Sequence, residues 1–240
     1  MKKFAVITDT HFEEQFPIEN GADAKKNWEI ILKDVLKREI NHIVFNGDIG
    51  TEESNKWFFD SLKKYDINYN VILGNHDTFS SAIKHYNPGL PENRNELYYS
   101  IEESNHKYIF LDSSTNIISP IQLEWLRENI ITNKNIVLFI HHPVLETGAT
   151  PQREYPLYES DKLKNMLTQT GKEINIFCGH LHLNDERSEG NINQFVTPSA
   201  CYQAKRNSAT TEKDNINFGY RVVEINNGIV SSEVIMFKKE

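Results

Sequence analysis

Five short apolar runs are spaced through this chain of 240 residues: Phe4 to Thr8, His42 to Asn46, Asn70 to Leu73, Ile136 to Ile140 and Ile174 to Cys178. They are rich in Val, Ile and Phe and do not alternate with polar residues, the pattern of strands buried on both faces. Segments with helical spacing lie between them. Ala24 to Ile40 carries Trp28, Ile31, Leu32, Val35 and Leu36, and about Glu53 to Lys64 carries Trp57, Phe58 and Leu62. Ser119-Pro120 starts a helix bearing Leu123, Trp125, Leu126 and Ile130, and a fourth helix is predicted over Ser160 to Thr168. The C-terminal third reads as strands over Gln194 to Thr197, Tyr220 to Ile225 and Ile229 to Phe237, the last two joined by the hairpin signal Asn226-Asn227-Gly228. Such alternation predicts an α/β chain with helices outside two strand layers. With no Pro/Gly/Ser-rich linker, residues 1–240 are expected to form a single domain.

Each of the five runs ends in residues that a divalent metal accepts: Asp9-Thr10-His11, Gly47-Asp48, Gly74-Asn75-His76-Asp77, His141-His142 and Gly179-His180-Leu181-His182. In open sheets of strands and helices the carboxyl ends of strands gather along one edge, so these distant fragments become neighbours. Taken singly, Asp9-x-His11 and Gly47-Asp48 serve equally well as turn formers or helix caps. Asp9 and His11, and likewise His180 and His182, stand at i and i+2, which puts each pair on one side if extended geometry persists past the strand. Asp48 can bridge two cations, Asn75 offers a neutral oxygen, and Asp77 is placed to orient an imidazole. His141-His142-Pro143 adds at least one ligand; His141 is favoured as the first residue past its strand, with spacing alone not separating it from His142. Two Asp, one Asn and at least four His are too many donors for one tetrahedral zinc and suit two divalent metal ions sharing Asp48. Two-metal sites, with ions about 3.5–4 Å apart, suit displacement at phosphorus. Donors of this kind accept Mn, Fe, Zn, Ni or Co. The remaining histidines, His42, His85 and His106, are expected at the surface or in packing.

Charge and cysteine usage set further bounds. The chain has 34 acidic and 26 basic residues and no Lys/Arg run longer than two, which disfavours broad electrostatic binding to nucleic acid. An anionic substrate stays compatible, because bound cations invert the local sign. Only two cysteines occur, Cys178 and Cys201, so neither a disulfide framework nor a thiolate metal site is expected. The apolar start from Phe4 to Ile7 stops at Thr8-Asp9, too short for an export signal, and no stretch approaches the length of a membrane span. A cytoplasmic protein with a small-molecule phosphoester substrate, and no nucleic-acid or membrane partner, is the resulting expectation.

In this order the five fragments resemble the calcineurin-like metallophosphoesterase superfamily, over Phe4 to about Ile225. Leu111-Asp112-Ser113, Gln122-Leu123-Glu124-Trp125-Leu126, Thr197-Pro198-Ser199 and Gly219-Tyr220-Arg221 resemble, more narrowly, the bacterial class III cyclic nucleotide phosphodiesterases. The chain departs from that subgroup at Val144, where a second proline is common, and in having no extended C-terminal tail. The resemblance implies a four-layer αββα sandwich of two mixed β-sheets flanked by helices, with a dinuclear metal site at the carboxyl ends of the strands. It implies one metal held by Asp9, His11, Asp48 and His182, a second by Asp48, Asn75, His141 and His180, and His76 facing the substrate. The expected reaction is in-line attack of a metal-bridging hydroxide on a phosphodiester, with His76 as general acid, and a phosphomonoesterase or phosphoprotein phosphatase is the alternative. A binding scaffold that kept the fold without catalysis should have lost ligands, and none is missing. Thr147 to Tyr158 and Ala204 to Asn217 are long enough to lean over the strand ends, and Arg153 is the candidate phosphate contact.

Overall fold

Strands without a polar face need cover on both sides. The computed structural model, which describes residues 2–91, 94–103 and 105–239, supplies it with two mixed sheets flanked by helices. Numbering strands in chain order, the first sheet holds β1 (Lys2–Ile7), β2 (His42–Phe45) and β3 (Asn68–Val71) in parallel. It is extended antiparallel beyond β1 by β12 (Asn217–Asn226) and β13 (Ile229–Lys238). The second sheet has parallel strands β5 (His106–Phe110), β6 (Asn135–Phe139), β7 (Ile174–Cys178) and β9 (Ile192–Val196), with β4 (Tyr99–Glu102) and β8 (Asp185–Glu189) antiparallel at its edges. A small pair, β10 (Gln203–Ala204) with β11 (Lys213–Asp214), stands apart.

Helices α2 (Ala24–Lys37) and α3 (Glu52–Lys64) pack on the first sheet through Trp28, Ile31, Leu32, Val35, Phe58 and Leu62. Helices α5 (Pro120–Asn129) and α7 (Ser160–Thr168) pack on the second through Leu126, Leu163 and Leu167. Shorter helical turns are α1 (Gln15–Glu19), α4 (Phe79–Ala82) and α6 (Thr150–Glu154). The Ser119 side chain accepts a hydrogen bond from the Gln122 amide at the start of α5, with Pro120 in the first turn, as the sequence predicts.

An aromatic ladder fixes the level at which the second sheet ends. Tyr99, Phe110, Phe139, Phe177 and Phe195 are register partners across five neighbouring strands and stack at centroid distances of 4.5, 5.0, 5.7 and 5.1 Å. Phe4 of β1 meets Phe139 edge-on at 5.9 Å, which places the ladder between the sheets. The alternate residues Leu138, Ile140, Ile176 and Cys178 belong to the second core, under α5 and α7. Each such aromatic pair adds about 0.5–1.5 kcal/mol beyond its buried area. Because Phe139 and Phe177 sit at one height, His141 and His180 leave the sheet side by side.

Three differences from the sequence reading have physical causes. Helix α2 stops at Lys37 rather than Ile40, because Glu39 turns left-handed (φ 58°) and Ile40 folds back, its amide donating to the Val35 carbonyl, into the core. β4, β5 and β8 are absent from the sequence reading: Glu102, and Glu186 to Glu189 in β8, are exposed edge residues without an apolar stripe, and the buried β5 opens on the polar pair His106-Lys107, which shortens its apolar run to three residues. Thr147 to Tyr158 contains α6, and Ala204 to Asn217 contains β11. His42 bonds Asn70, His85 stacks on Phe59 and His106 is buried, so all three serve packing.

Candidate metal centre

The loops after β1 and β2 are zipped together before any side chain is considered. The amides of Asp9, Thr10 and Phe12 donate to the carbonyls of Gly47, Asp48 and Ile49 at 2.8–2.9 Å. Extended geometry does not persist past β1, contrary to the alternation expected from sequence. Asp9 (φ 57°), His11 (46°), Asp48 (58°), His180 (69°) and His182 (51°) all adopt the left-handed conformation. Each costs roughly 1–2 kcal/mol relative to the right-handed region. Five such residues where the strand ends of the two sheets meet, held by their neighbours' hydrogen bonds, are stored strain of the kind that marks a functional site.

Glycines permit the remaining approach. A Cβ on Gly179 would lie 2.1 Å from Thr8 Oγ1 and 2.7 Å from Asp9 Oδ2, and one on Gly74 would lie 2.1 Å from Asp48 Oδ1 and 2.5 Å from the Asp48 nitrogen. Gly74→Ala is therefore expected to push the Asp48 carboxylate out of place and to cost about 1–3 kcal/mol of stability by overpacking. Thermal unfolding read together with metal titration checks this; an alanine variant with unchanged melting temperature and metal affinity would show that the turn has slack.

Around this scaffold the donor atoms converge. Asp9 Oδ1 lies 3.2 Å from His182 Nε2 and 3.9 Å from the Nε2 atoms of His11 and His141. Asp48 Oδ2 lies 3.4 Å from His141 Nε2 and 3.6 Å from His11 Nε2. Asp9, His11, Asp48 and His182 each bring a ligand atom within 4.8 Å of the others. His180 packs its ring 5.1 Å from that of His141, and Asn75 lines the cavity above Asp48.

The outer nitrogen of each imidazole is already engaged. His141 Nδ1 donates to the Asn46 carbonyl (2.7 Å), His182 Nδ1 to that of Tyr202 (3.0 Å) and His180 Nε2 to that of Tyr155 (2.7 Å), while His11 Nδ1 donates to Glu14 Oε1 (2.9 Å). A carbonyl can only accept, so the second nitrogen of each neutral ring is a free lone pair, the arrangement that metal-ligating histidines use. His11 Nε2 and His182 Nε2 then stand 3.0 Å apart, and two lone pairs at that distance repel unless a proton or a cation lies between them. Asp9 Oδ1, Asn75 Oδ1 and His141 Nε2 are buried and have no hydrogen-bond partner among the described residues. Divalent cations are the partners that unpaired carboxylate, amide and imidazole atoms of this kind accept.

The local charges agree. Burial alone would raise Asp9, yet His182 and His141 hold its carboxyl down at about 2. Asp48, equally buried, is held well below the usual carboxylate range by His141 and His11. Burial also works against charge on His141, but Asp48 and Asp9 push it up to about 9, so a proton holds Nε2 unless a cation displaces it. Burial pushes His180 down to about 4, assisted by the neighbouring His141. His142 is buried behind His141, its Nδ1 on Ser113 Oγ at 2.9 Å.

Two residues do something other than the sequence reading expected. Asp77 orients no imidazole: its carboxylate accepts the amides of Asp48, Ile49 and Gly74 at 2.7–2.9 Å and so staples two ligand turns together. Arg153 does not line the cavity; the turn of α6 directs its guanidinium back to the Gly148 carbonyl and Thr150 Oγ1. Leu111-Asp112-Ser113 and Gln122 form scaffolding, with Gln122 bonded to the Asp112 amide and carbonyl. Ser199 of Thr197-Pro198-Ser199 donates to the Asp9 carbonyl, clamping a ligand turn.

A cavity of about 730 Å³ opens over the donor cluster. Its floor is His11, Asp48, Asn75, His180 and His182, and its walls come from both loops singled out in the sequence, through Pro151, Glu154 and Tyr155 and through Ala204, Thr211 and Lys213. His76 lines it and is half exposed; pairing with Glu14 (3.1 Å), against the effect of burial, pushes its imidazole up to about 9. Glu14, Phe16, Tyr202 and Lys213 escaped the sequence reading. Lys213 holds its ammonium 3.3 Å from the Phe16 ring centroid and 5.2 Å from that of Tyr202. Only Glu14 carried a signal, three residues beyond His11.

The calcineurin-like phosphoesterase family model matches residues 2–184. The chain belongs to the calcineurin-like phosphoesterase family. It is 30% identical to a probable glycerophosphodiester phosphodiesterase of Arcobacter nitrofigilis, over 73% of this chain and 70% of that one. It is 24% identical to a 3',5'-cyclic-nucleotide phosphodiesterase of Nostoc sp., over 92% and 86%, and 24% identical to a 3',5'-cyclic adenosine monophosphate phosphodiesterase of Escherichia coli, over 95% and 87%. Among solved structures, a dimetal phosphatase from Danio rerio shares the fold with a TM-score of 0.66 at 11% identity, covering 100% of this chain and 99% of its own. Family membership and the buried donor cluster together make this chain a phosphoester hydrolase dependent on divalent metal ions. No helix among the described residues is long and apolar enough to cross a membrane.

Proposed function

We propose that the chain hydrolyses small phosphodiesters, with 3',5'-cyclic nucleotides as the first candidates, using two divalent cations. One cation is assigned to Asp9, His11, Asp48 and His182, the other to Asp48, Asn75, His141 and His180. The observation that carries this reading is the position of Asp48 Oδ2, 3.6 Å from His11 Nε2 on one side and 3.4 Å from His141 Nε2 on the other. Cations held there would lower the pKa of a water and neutralise charge on phosphoryl oxygens, the chemistry that displacement at phosphorus needs. His76, with Nδ1 on Glu14, keeps Nε2 for the departing alkoxide and protonates it. Phe16 and Tyr202 offer flat apolar surface for a base or similar group, and Lys213 the cation beside it. The two relatives named for cyclic nucleotides and the one named for glycerophosphodiesters support a diester over a monoester. Cytoplasmic placement belongs to the same reading and draws on the two free, buried cysteines, Cys178 and Cys201.

Metal analysis of the purified protein, paired with rates on bis(4-nitrophenyl) phosphate, 4-nitrophenyl phosphate and cyclic AMP, tests this. Two metal equivalents and a diester preference are expected. A single equivalent removes the shared-carboxylate assignment, and faster monoester hydrolysis moves the chain to the phosphomonoesterases.

A further inference from the structure

Glu14 stands where a helix cap would, immediately before α1, with β-region backbone angles, yet its side chain makes no capping hydrogen bond. The carboxylate instead turns to the metal centre. Its Oε1 accepts from His11 Nδ1 at 2.9 Å and pairs with His76 Nδ1 at 3.1 Å, and the two rings meet edge-on with centroids 4.7 Å apart. One oxygen thus ties together a residue of the donor cluster and the histidine at the mouth of the cavity. His11 is buried and packed against His182, so its ring is fixed without Glu14. His76 is not: its backbone amide is held by Asp48 Oδ1 (2.9 Å), but its side chain is 45% exposed and free to change rotamer without the carboxylate.

We propose that Glu14 is a positioning residue that locks the His76 imidazole, through Nδ1, with Nε2 presented to the cavity that Asp48 and Asn75 line. This rests on the diester reading, in which His76 gives a proton to the leaving group. A misplaced proton donor loses rate in proportion to how much the leaving group needs the proton. A residue that merely shaped the metal centre through His11 would affect every leaving group alike.

Two diesters of similar shape make the test: diphenyl phosphate, whose phenolate departs reluctantly, and bis(4-nitrophenyl) phosphate, whose phenolate departs readily. Glu14→Gln is expected to lower kcat about 10- to 100-fold on the former and no more than about threefold on the latter, with KM little changed. Metal equivalents should stay at the wild-type number, and the same change made on top of His76→Asn should add almost nothing. In the zinc-loaded, 15N-labelled protein, the His76 ring resonances, assigned by their loss in His76→Asn, should shift in Glu14→Gln. Equal losses on both diesters, a further loss in the His76→Asn background, or unmoved His76 resonances would overturn the proposal. Loss of a metal equivalent in Glu14→Gln would overturn it as well, since His11, Glu14 and His76 are also close enough to hold a cation of their own. The resonance shift does not depend on turnover. An inactive wild type with shifting resonances therefore discards the diester reading and keeps Glu14 as the anchor of His76.

Discussion

Asp48→Ala is expected to strip the protein of bound metal and lower turnover by about 10⁴-fold or more, since metal ions supply several kcal/mol of charge stabilisation at phosphorus. Asp48 holds this leverage through position. Its Oδ2 is within 3.6 Å of imidazole nitrogens from two strands, β1 and β6, that belong to different sheets, while Oδ1 accepts the His76 amide. Removing it leaves Asp9 as the one carboxylate of the assigned ligand set, too little negative charge for two divalent ions. Position 48 is left-handed (φ 58°), a conformation alanine tolerates poorly, so a folding defect must be separated from a binding defect. Asp48→Asn makes that separation, because asparagine adopts the same backbone and keeps an oxygen for the His76 amide, but loses the charge and puts an NH2 group, which cannot ligate, in place of Oδ2. Both variants should lose metal on dialysis against metal-free buffer, while the asparagine variant keeps a near-native melting temperature once the stabilisation due to metal is subtracted. Two equivalents retained by Asp48→Ala would refute the shared-ligand assignment.

How much of this centre could be read in advance follows from what period and spacing encode. Val6, Ile7, Phe45, Phe139 and Phe177 announce strands because both faces of those strands are buried, and strands buried on both faces tolerate few polar residues. The ends of such strands are legible for the same reason: Asp9, Asp48 and His180 are among the first residues able to bind metal after the apolar runs. The left-handed backbone at five of these residues is not legible. Asp and His adopt it only when neighbours compel it, and the compelling groups, such as the Gly47 and Asp48 carbonyls that accept from Asp9 and Thr10, come from elsewhere in the chain. The direction of a side chain is hidden in the same way. Arg153 looks like a phosphate contact on an irregular loop, but residues 150–154 wind into a turn that points it at Gly148, and Lys213 reaches the cavity because β11 pairs with β10. Edge strands β4 and β8 escape because an edge satisfies its polar side chains in water and needs no apolar stripe.

His76→Asn should leave metal content intact and lower kcat roughly 10²- to 10⁴-fold on substrates with a reluctant leaving group, the usual worth of a positioned general acid. The proposed assignment gives the two neighbouring residues of this turn separate roles. The proposed metal ligand of this turn is Asn75, and the His76 backbone amide holds Asp48 Oδ1; the substitution removes neither. The imidazole itself touches Glu14 and the His11 ring and otherwise faces the cavity. Its loss leaves Glu14 with one fewer cation-forming partner, which strengthens the remaining pull on His11 and gives no reason for metal to leave. Loss of rate together with metal would mean that the ring supports the His11 side of the cluster. Full retention of rate on a reluctant leaving group would remove His76 from the chemistry and leave proton delivery to water in the open mouth of the cavity. The predicted outcome lies between these, with kcat reduced, KM nearly constant and the deficit shrinking as the leaving group becomes more acidic. That gradient discriminates, because a defect in electrostatic stabilisation of the phosphoryl group would persist undiminished across the same series of substrates.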